Sequence, residues 1–135
     1  YKINVVQIPY NIIDRRFESL FFELFSKKIK IYARSIFLQG LLITKSSKFK
    51  EIKDIKKFYN FSRYNNVSQI DACLDFVKHN IFIDKLLFGI QDENQLKKII
   101  KSKYKKKITY PSYLKSKNYK LLDPRSWKNS FPHLK

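Results

Sequence analysis

The first hundred residues contain three strand-like apolar segments, and each is followed by a segment with the spacing of an amphipathic helix. The strands are predicted over 3–9, 29–35 and 84–90. Their apolar residues run on without strict alternation, which is typical of parallel strands covered by helices. The sequence therefore predicts an α/β fold with a parallel sheet.

Helix signals follow each predicted strand. After the first strand, apolar side chains recur every three or four residues, as on one face of a helix; they are Phe17, Leu20, Phe21, Leu24 and Phe25. Ser68 with Asp71, and Asp92 with Gln95, have the spacing of capping boxes at the starts of two more helices. The polar, lysine-rich segment 45–66 is interpreted as a functional loop that contains a short helix.

The segment 33–42, with the sequence ARSIFLQGLL, lies at the end of the second predicted strand. Gly40 is one of only two glycines in 135 residues. We therefore expect its backbone to need a positive φ or the close approach of a ligand. A turn at the carboxyl end of a strand is where α/β enzymes hold phosphates and substrates, so this turn is a candidate binding site.

The chain carries 29 Lys and Arg against 11 Asp and Glu, which gives a net charge of +18. Such a charge is typical of nucleic-acid-binding proteins. However, the excess is mostly lysine in a chain also rich in Ile, Asn, Tyr and Phe, which indicates a coding bias and gives the charge little weight. The hydrophobic fraction of 44% is enough for a packed core.

The single cysteine, Cys73, excludes an internal disulfide and indicates a reducing, cytoplasmic environment. No apolar run approaches the ~18 residues of a membrane span. The sequence has no cluster of His and Cys with metal-ligand spacing, so no metal site is expected. Because the chain opens inside a strand pattern without an initiator Met, we also expect it to be a fragment of a longer gene product.

Three blocks of sequence carry a family resemblance. Together they resemble the last three βα units of the aldo-keto reductase family. The blocks are VQIPYN at 6–11 with DRR at 14–16, the segment 33–42, and LFG at 87–89 with DENQL at 92–96. The most similar branch is the bacterial one often found near surface-polysaccharide genes. The resemblance covers residues 1–100 and implies the C-terminal part, about strands six to eight, of a (β/α)8 barrel, followed by a basic C-terminal tail over 101–135.

The resemblance also implies a nicotinamide cofactor, NADP or NAD. Gln7 matches the glutamine that binds the nicotinamide carboxamide, and Arg34 stands where many relatives have a tyrosine that stacks on the nicotinamide ring. Ser35, Phe37 and Gly40 match the turn that wraps the pyrophosphate. Gly89 and Gln95 match the motif that reaches the adenosine half. Gln91 replaces a basic residue that many members use for the 2′-phosphate, so the choice between NADP and NAD stays open.

Structural explanations compete with several of these roles. Gln7 could satisfy backbone groups at a strand end, and Phe37 could be an ordinary core residue, as Leu38 is expected to be. Gln95 occupies the position where a capping box favours glutamine.

For function, the resemblance implies a nicotinamide-dependent oxidoreductase that transfers hydride between an alcohol and a small carbonyl substrate. The family's catalytic Asp, Tyr, Lys and His lie on earlier strands, and neither His79 nor His133 matches that histidine. No catalytic residue is therefore assigned, and this chain alone is expected to be inactive. No specific nucleic acid and no membrane are expected as partners. A basic nucleic-acid-binding module and a noncatalytic barrel remnant remain as alternatives.

Overall fold

The computed structural model describes residues 2–44, 46–90, 92–102 and 108–131. The chain begins with β1 (Val5–Pro9), α1 (Phe21–Ser26), β2 (Lys30–Arg34), α2 (Ser47–Lys50), α3 (Lys53–Tyr64), α4 (Gln69–Lys78), β3 (Lys85–Leu86) and α5 (Glu93–Lys101). Two further short helices follow, α6 (Tyr119–Leu122) and α7 (Trp127–Ser130). Single 3-10 turns cover Glu18–Leu20, Ser112–Leu114 and Pro124–Ser126.

The three strands form one parallel sheet in the order β1-β2-β3, which confirms the predicted sheet type. Gln7 pairs with Tyr32, and Tyr32 pairs with Lys85. Since side chains alternate between the two faces of a sheet, this register defines both faces. One is the core face, where Ile31 and Ala33 are buried.

The opposite face of the sheet, which we call the open face, carries Val5, Gln7, Lys30, Tyr32, Arg34 and Lys85. Its side chains are exposed or half-buried. The first strand was expected to be covered by helices, and on this face that expectation is wrong. In the part of the chain that the structure describes, β1 has a neighbour on one side only, and helices cover only one of its faces. Ile3 and Val5 are therefore exposed.

The segment 45–66 is not the predicted functional loop but is largely helical. α3 has twelve residues and buries Ile55, Phe58 and Phe61 against the core. These three residues are spaced three apart, but the Lys and Asn residues between them give the segment the composition of a loop. The stripe after β1, by contrast, forms only the six-residue α1, in which Phe25 is exposed.

Both predicted capping boxes start helices where expected. The Ser68 hydroxyl accepts a hydrogen bond from the Asp71 backbone N–H at 3.1 Å, and the Asp92 carboxylate accepts one from the Gln95 N–H at 2.8 Å. β3 is shorter than the predicted 84–90, because its ladder with β2 covers only Lys85 and Leu86. In the described residues, no helix is long and apolar enough to cross a membrane.

Residues 108–131, here called the C-terminal strap, pack on the body of the domain. The sequence pattern shows no period in this segment, yet it forms short helical turns. Two of these turns bury leucines: Leu114 in the turn Ser112–Leu114, and Leu121 and Leu122 in α6. The lysine cluster 103–107 and His133 lie outside the described residues.

Candidate functional site

A cleft of about 1060 Å³ opens at the carboxyl ends of the strands. The segments after β2 and β3 and the first turns of α5 form its walls. All the residues singled out by the sequence as cofactor ligands line this cleft: Gln7, Arg34, Ser35, Phe37, Gly40, Gly89 and Gln95. Residues that lie far apart in the sequence are therefore neighbours of one open cavity.

The turn after β2 has an unusual backbone. Gly40 has φ +83°, as expected from its scarcity, and Ser35, Leu38 and Gln39 also have positive φ values of 57°, 45° and 53°. Side chains at such φ values cost roughly 1 kcal/mol or more each unless their surroundings fix them. Strain of this kind clusters at ligand-binding turns.

Hydrogen bonds within the turn fix its shape and leave donors unused. The Leu38 N–H donates to the Ser35 carbonyl at 2.9 Å, and the Leu42 N–H donates to the Phe37 carbonyl at 3.2 Å. Within the described part of the chain, the N–H groups of Gln39 and Gly40 donate to no other group. Successive free N–H groups in a turn of this kind form a concavity that binds anions.

Gln7 lies in the middle of β1, and its side chain belongs to the open face. It is exposed. Its amide also makes no hydrogen bond with any described residue, so the alternative role of satisfying backbone groups at a strand end is not what the structure shows. Gln7 instead presents a free donor and a free acceptor to the cleft.

Among the described residues, two cations and one carboxylate line the cleft. Arg34 at the end of β2 is exposed, and its Nη1 donates to the Ser35 hydroxyl at 3.3 Å. Lys98 of α5 also lines the cleft, whereas the carboxylate of Asp92 caps that helix. Lys98 was not predicted from the sequence, although its position three residues after Gln95 on one helix face could have revealed it.

The remaining candidates have partly structural roles. Phe37 is buried and its ring centroid lies 6.0 Å from that of Phe88, so core packing accounts for much of its position, and Leu38 is buried in the core as expected. Gly89 has no positive φ, and a methyl group there would meet nothing within 4 Å. Gln95 is half-buried at the start of α5, and Gln91 lies outside the described residues.

The groups with raised pKa values lie away from the cleft. Burial raises the pKa of the Cys73 thiol on α4 well above its usual range. Burial, together with the nearby Glu18 carboxylate, likewise raises the pKa of Tyr10. The Tyr10 hydroxyl donates to Glu18 Oε1 at 2.8 Å and accepts from Asn80 Nδ2 at 2.9 Å, which is a structural network.

No protein-family model matches the sequence, and no curated protein matches it. Solved structures do match the fold. The apo form of the aldo-keto reductase AKR11C1 from Bacillus halodurans superposes with a TM-score of 0.67 at 17% identity, over 89% of this chain and 44% of that one. The holo form gives 0.65 at 17% identity, over 80% and 39%. The fold is that of part of an aldo-keto reductase barrel.

The match confirms the predicted fold class, the C-terminal part, about strands six to eight, of a (β/α)8 barrel. The chain spans less than half the length of the reductase that it matches. At this identity the likeness shows the fold alone, and a cofactor, a substrate and an activity need separate arguments from the cleft.

Proposed function

We propose that the chain binds a nicotinamide dinucleotide, NADP or NAD, and forms the cofactor-binding part of an aldo-keto reductase-like oxidoreductase. One observation carries the proposal. Residues selected on three separate segments of sequence, around Gln7, Gly40 and Gly89, meet in one cleft at the carboxyl ends of parallel strands. That edge of the sheet is where barrel enzymes bind their ligands.

The cleft suits the size and charge of such a ligand. Its volume of about 1060 Å³ is at the upper end of the range for small-molecule sites. The N–H groups of Gln39 and Gly40 have no acceptor among the described residues, and the Arg34 guanidinium lines the same cleft. Together these donors are suited to the pyrophosphate. The Gln7 amide is placed to pair with the nicotinamide carboxamide, while Gly89 and Gln95 line the part of the cleft assigned to the adenosine.

A bound dinucleotide would supply hydride for a small carbonyl substrate. This chain's residues bind and orient that cofactor, because the resemblance puts the catalytic groups on strands that precede these three. The chain alone is therefore proposed to be inactive in reduction but competent in binding. The reducing cytoplasm suits its unpaired cysteine.

Hydrogen exchange with and without NADPH tests this proposal. Binding in the cleft should slow amide exchange in the turn 35–41 and around 89–95, and leave the far end of α3 near Tyr64 unchanged. AMP alone should protect the second segment more than the first. Unchanged exchange in both segments at saturating NADPH would contradict the proposal.

A basic nucleic-acid-binding module remains the second candidate, because the net charge is +18 and three exposed tyrosines could stack on bases. These are Tyr64, Tyr113 and Tyr119. The phenylalanines give it less support, since most pack in or against the core; only Phe22, Phe25 and Phe88 are exposed among those described.

A further inference from the structure

Trp127 lines the cleft, although it lies far beyond the segments that resemble the reductase family. It is the only tryptophan in the chain. Its indole Nε1 donates to the Leu121 carbonyl at 2.9 Å. That bond satisfies the single polar atom of the ring, so what Trp127 contributes to the cleft is apolar aromatic surface.

The C-terminal strap that carries Trp127 is tied to the connection between β1 and α1. The Ser116 N–H donates to the Ile13 carbonyl at 2.8 Å. Arg15 is buried, and its Nη1 and Nη2 donate to the carbonyls of Tyr110 and Pro111 at 3.5 and 3.4 Å. These bonds join residues about a hundred positions apart, so they fix the path of the strap over the domain.

Two carboxylates on the helices hold the strap from the other side. Asp54 of α3 accepts a hydrogen bond from the Ser116 hydroxyl at 2.6 Å, and Asp75 of α4 accepts one from the Tyr110 hydroxyl at 2.7 Å. The buried leucines of the strap add apolar contact. Nearer to Trp127, the Arg16 Nη2 donates to the Leu122 carbonyl at 3.4 Å. The strap is thus held at residues 110–116 and again at Leu122, five residues before the indole.

We propose that Trp127, with Phe49 and Ile70, forms an apolar subsite that receives the planar base of the adenosine half of the dinucleotide. This inference rests on the proposed function. Phe49 on α2 and Ile70 on α4 line the same cleft, together with Asn94 and Lys98 of α5.

The mixture of groups fits a nucleotide base. A nucleotide base binds to a flat apolar surface and forms hydrogen bonds at its polar edge, and its phosphates bind a cation. In this cleft Trp127 offers the flat surface, the Asn94 amide the hydrogen bonds and the Lys98 ammonium the cation. Aromatic side chains stack on the flat faces of nucleotide bases. The adenosine half is favoured over the nicotinamide half because Gln7 lies on β1, at the other end of the sheet order from α5.

The test uses the fluorescence of Trp127, which reports one position because the chain has no other tryptophan. AMP should quench and shift this emission, whereas nicotinamide mononucleotide should leave it nearly unchanged. Trp127→Ala should weaken AMP binding, measured by calorimetry, about tenfold, since base–aromatic stacking accounts for a factor of that order. Trp127→Phe should restore most of the affinity. Tyr113→Ala, at an exposed strap residue outside the cleft, is the matched control.

Thermal melts of each variant, compared with the wild type, show whether the strap stays folded. If Trp127→Ala unfolds at a lower temperature than the wild type, two measurements still test the subsite. These are the AMP affinity of Trp127→Phe, and the wild-type fluorescence change with AMP compared with that with nicotinamide mononucleotide. Wild-type AMP affinity in a folded Trp127→Ala variant would overturn the subsite and leave the proposed function intact. If AMP binds and quenches the fluorescence but neither NADPH nor NADH binds, the proposed function is contradicted. The result would still support a subsite for a nucleotide base. Quenching by nicotinamide mononucleotide alone would overturn the adenosine assignment.

Discussion

The side chain of Asn11 joins the ends of two neighbouring strands, because its Nδ2 donates to the Ser35 carbonyl at 2.9 Å. Its Oδ1 accepts from the backbone N–H groups of Ile13 and Asp14 at 3.1 and 2.9 Å. Asn11 is fully buried. One amide therefore satisfies backbone groups after β1 and fixes the first residue of the turn that forms the cleft.

Asn11→Ala should destabilise the domain by about 2–4 kcal/mol, because it leaves buried backbone groups without partners. Urea unfolding followed by circular dichroism measures this change. Asn118→Ala is the matched control, since Asn118 accepts from the Leu121 N–H at the surface of the strap and its loss should cost at most about 1 kcal/mol. Equal losses in the two variants would contradict the structural role of Asn11.

Gly40→Ala should lower the free energy of unfolding by about 1–2 kcal/mol, because a side chain at φ +83° is strained. The added methyl group meets no protein atom within 4 Å, so the loss comes from the backbone alone. The same variant should weaken dinucleotide binding, since the methyl group would crowd a pyrophosphate in the turn. Chemical denaturation and NADH fluorescence titration measure the two effects.

Gly89→Ala is the comparison for that prediction. Gly89 has no positive φ and open space around it, so its substitution should leave the stability unchanged or slightly raised. A larger loss of stability at Gly89 than at Gly40 would refute the account of the turn.

Gln7→Ala should weaken NADH binding about three- to tenfold, because a hydrogen-bonding amide contributes roughly 0.5–1.5 kcal/mol. The stability should hardly change, since the amide has no partner among the described residues. In a complete barrel the same change should reduce turnover by misplacing the hydride donor. Val5→Ala, on the same open face but outside the cleft, should leave binding unchanged; equal weakening by both variants would remove Gln7 from the site.

Cys73 should resist thiol reagents in the folded protein. It is fully buried, and burial raises the pKa of its thiol, so at pH 8 the thiol stays protonated and out of contact with solvent. Labelling should occur only after unfolding, at a rate that rises with urea. Rapid labelling of the folded chain would show that α4 is not packed as described.

The sequence predicted those parts of the fold whose signals are local. Capping at Ser68 and Asp92, the parallel strands and the left-handed backbone of Gly40 each depend on a few adjacent residues. The family resemblance led to seven residues that line the cleft, because the turns that it matches follow neighbouring strands of one sheet. Gln7 lines the cleft, and its exposure follows from its position on the open face of the sheet, which no local pattern shows.

Two regions could not be predicted from local patterns. The connection that contains α3 was predicted to hold only a short helix within a loop, because lysines and asparagines separate its buried residues. The apolar residues of the strap show no regular spacing, because its helical turns are short. The position of the strap depends on distant groups such as Arg15, Asp54 and Asp75. Trp127 lines the cleft because the strap follows this path, so no signal around residue 127 indicates a binding role.

The most direct test of the central claim is to measure dinucleotide and nucleic-acid binding on the same preparation. We expect NADH or NADPH to bind saturably in a fluorescence titration, with an affinity that changes little with salt. A random oligonucleotide should bind weakly and lose affinity steeply between low and physiological salt, as a diffuse lysine surface does. If neither dinucleotide binds while the oligonucleotide binds tightly at physiological salt, the cleft is not a cofactor site and the basic-module interpretation replaces this account.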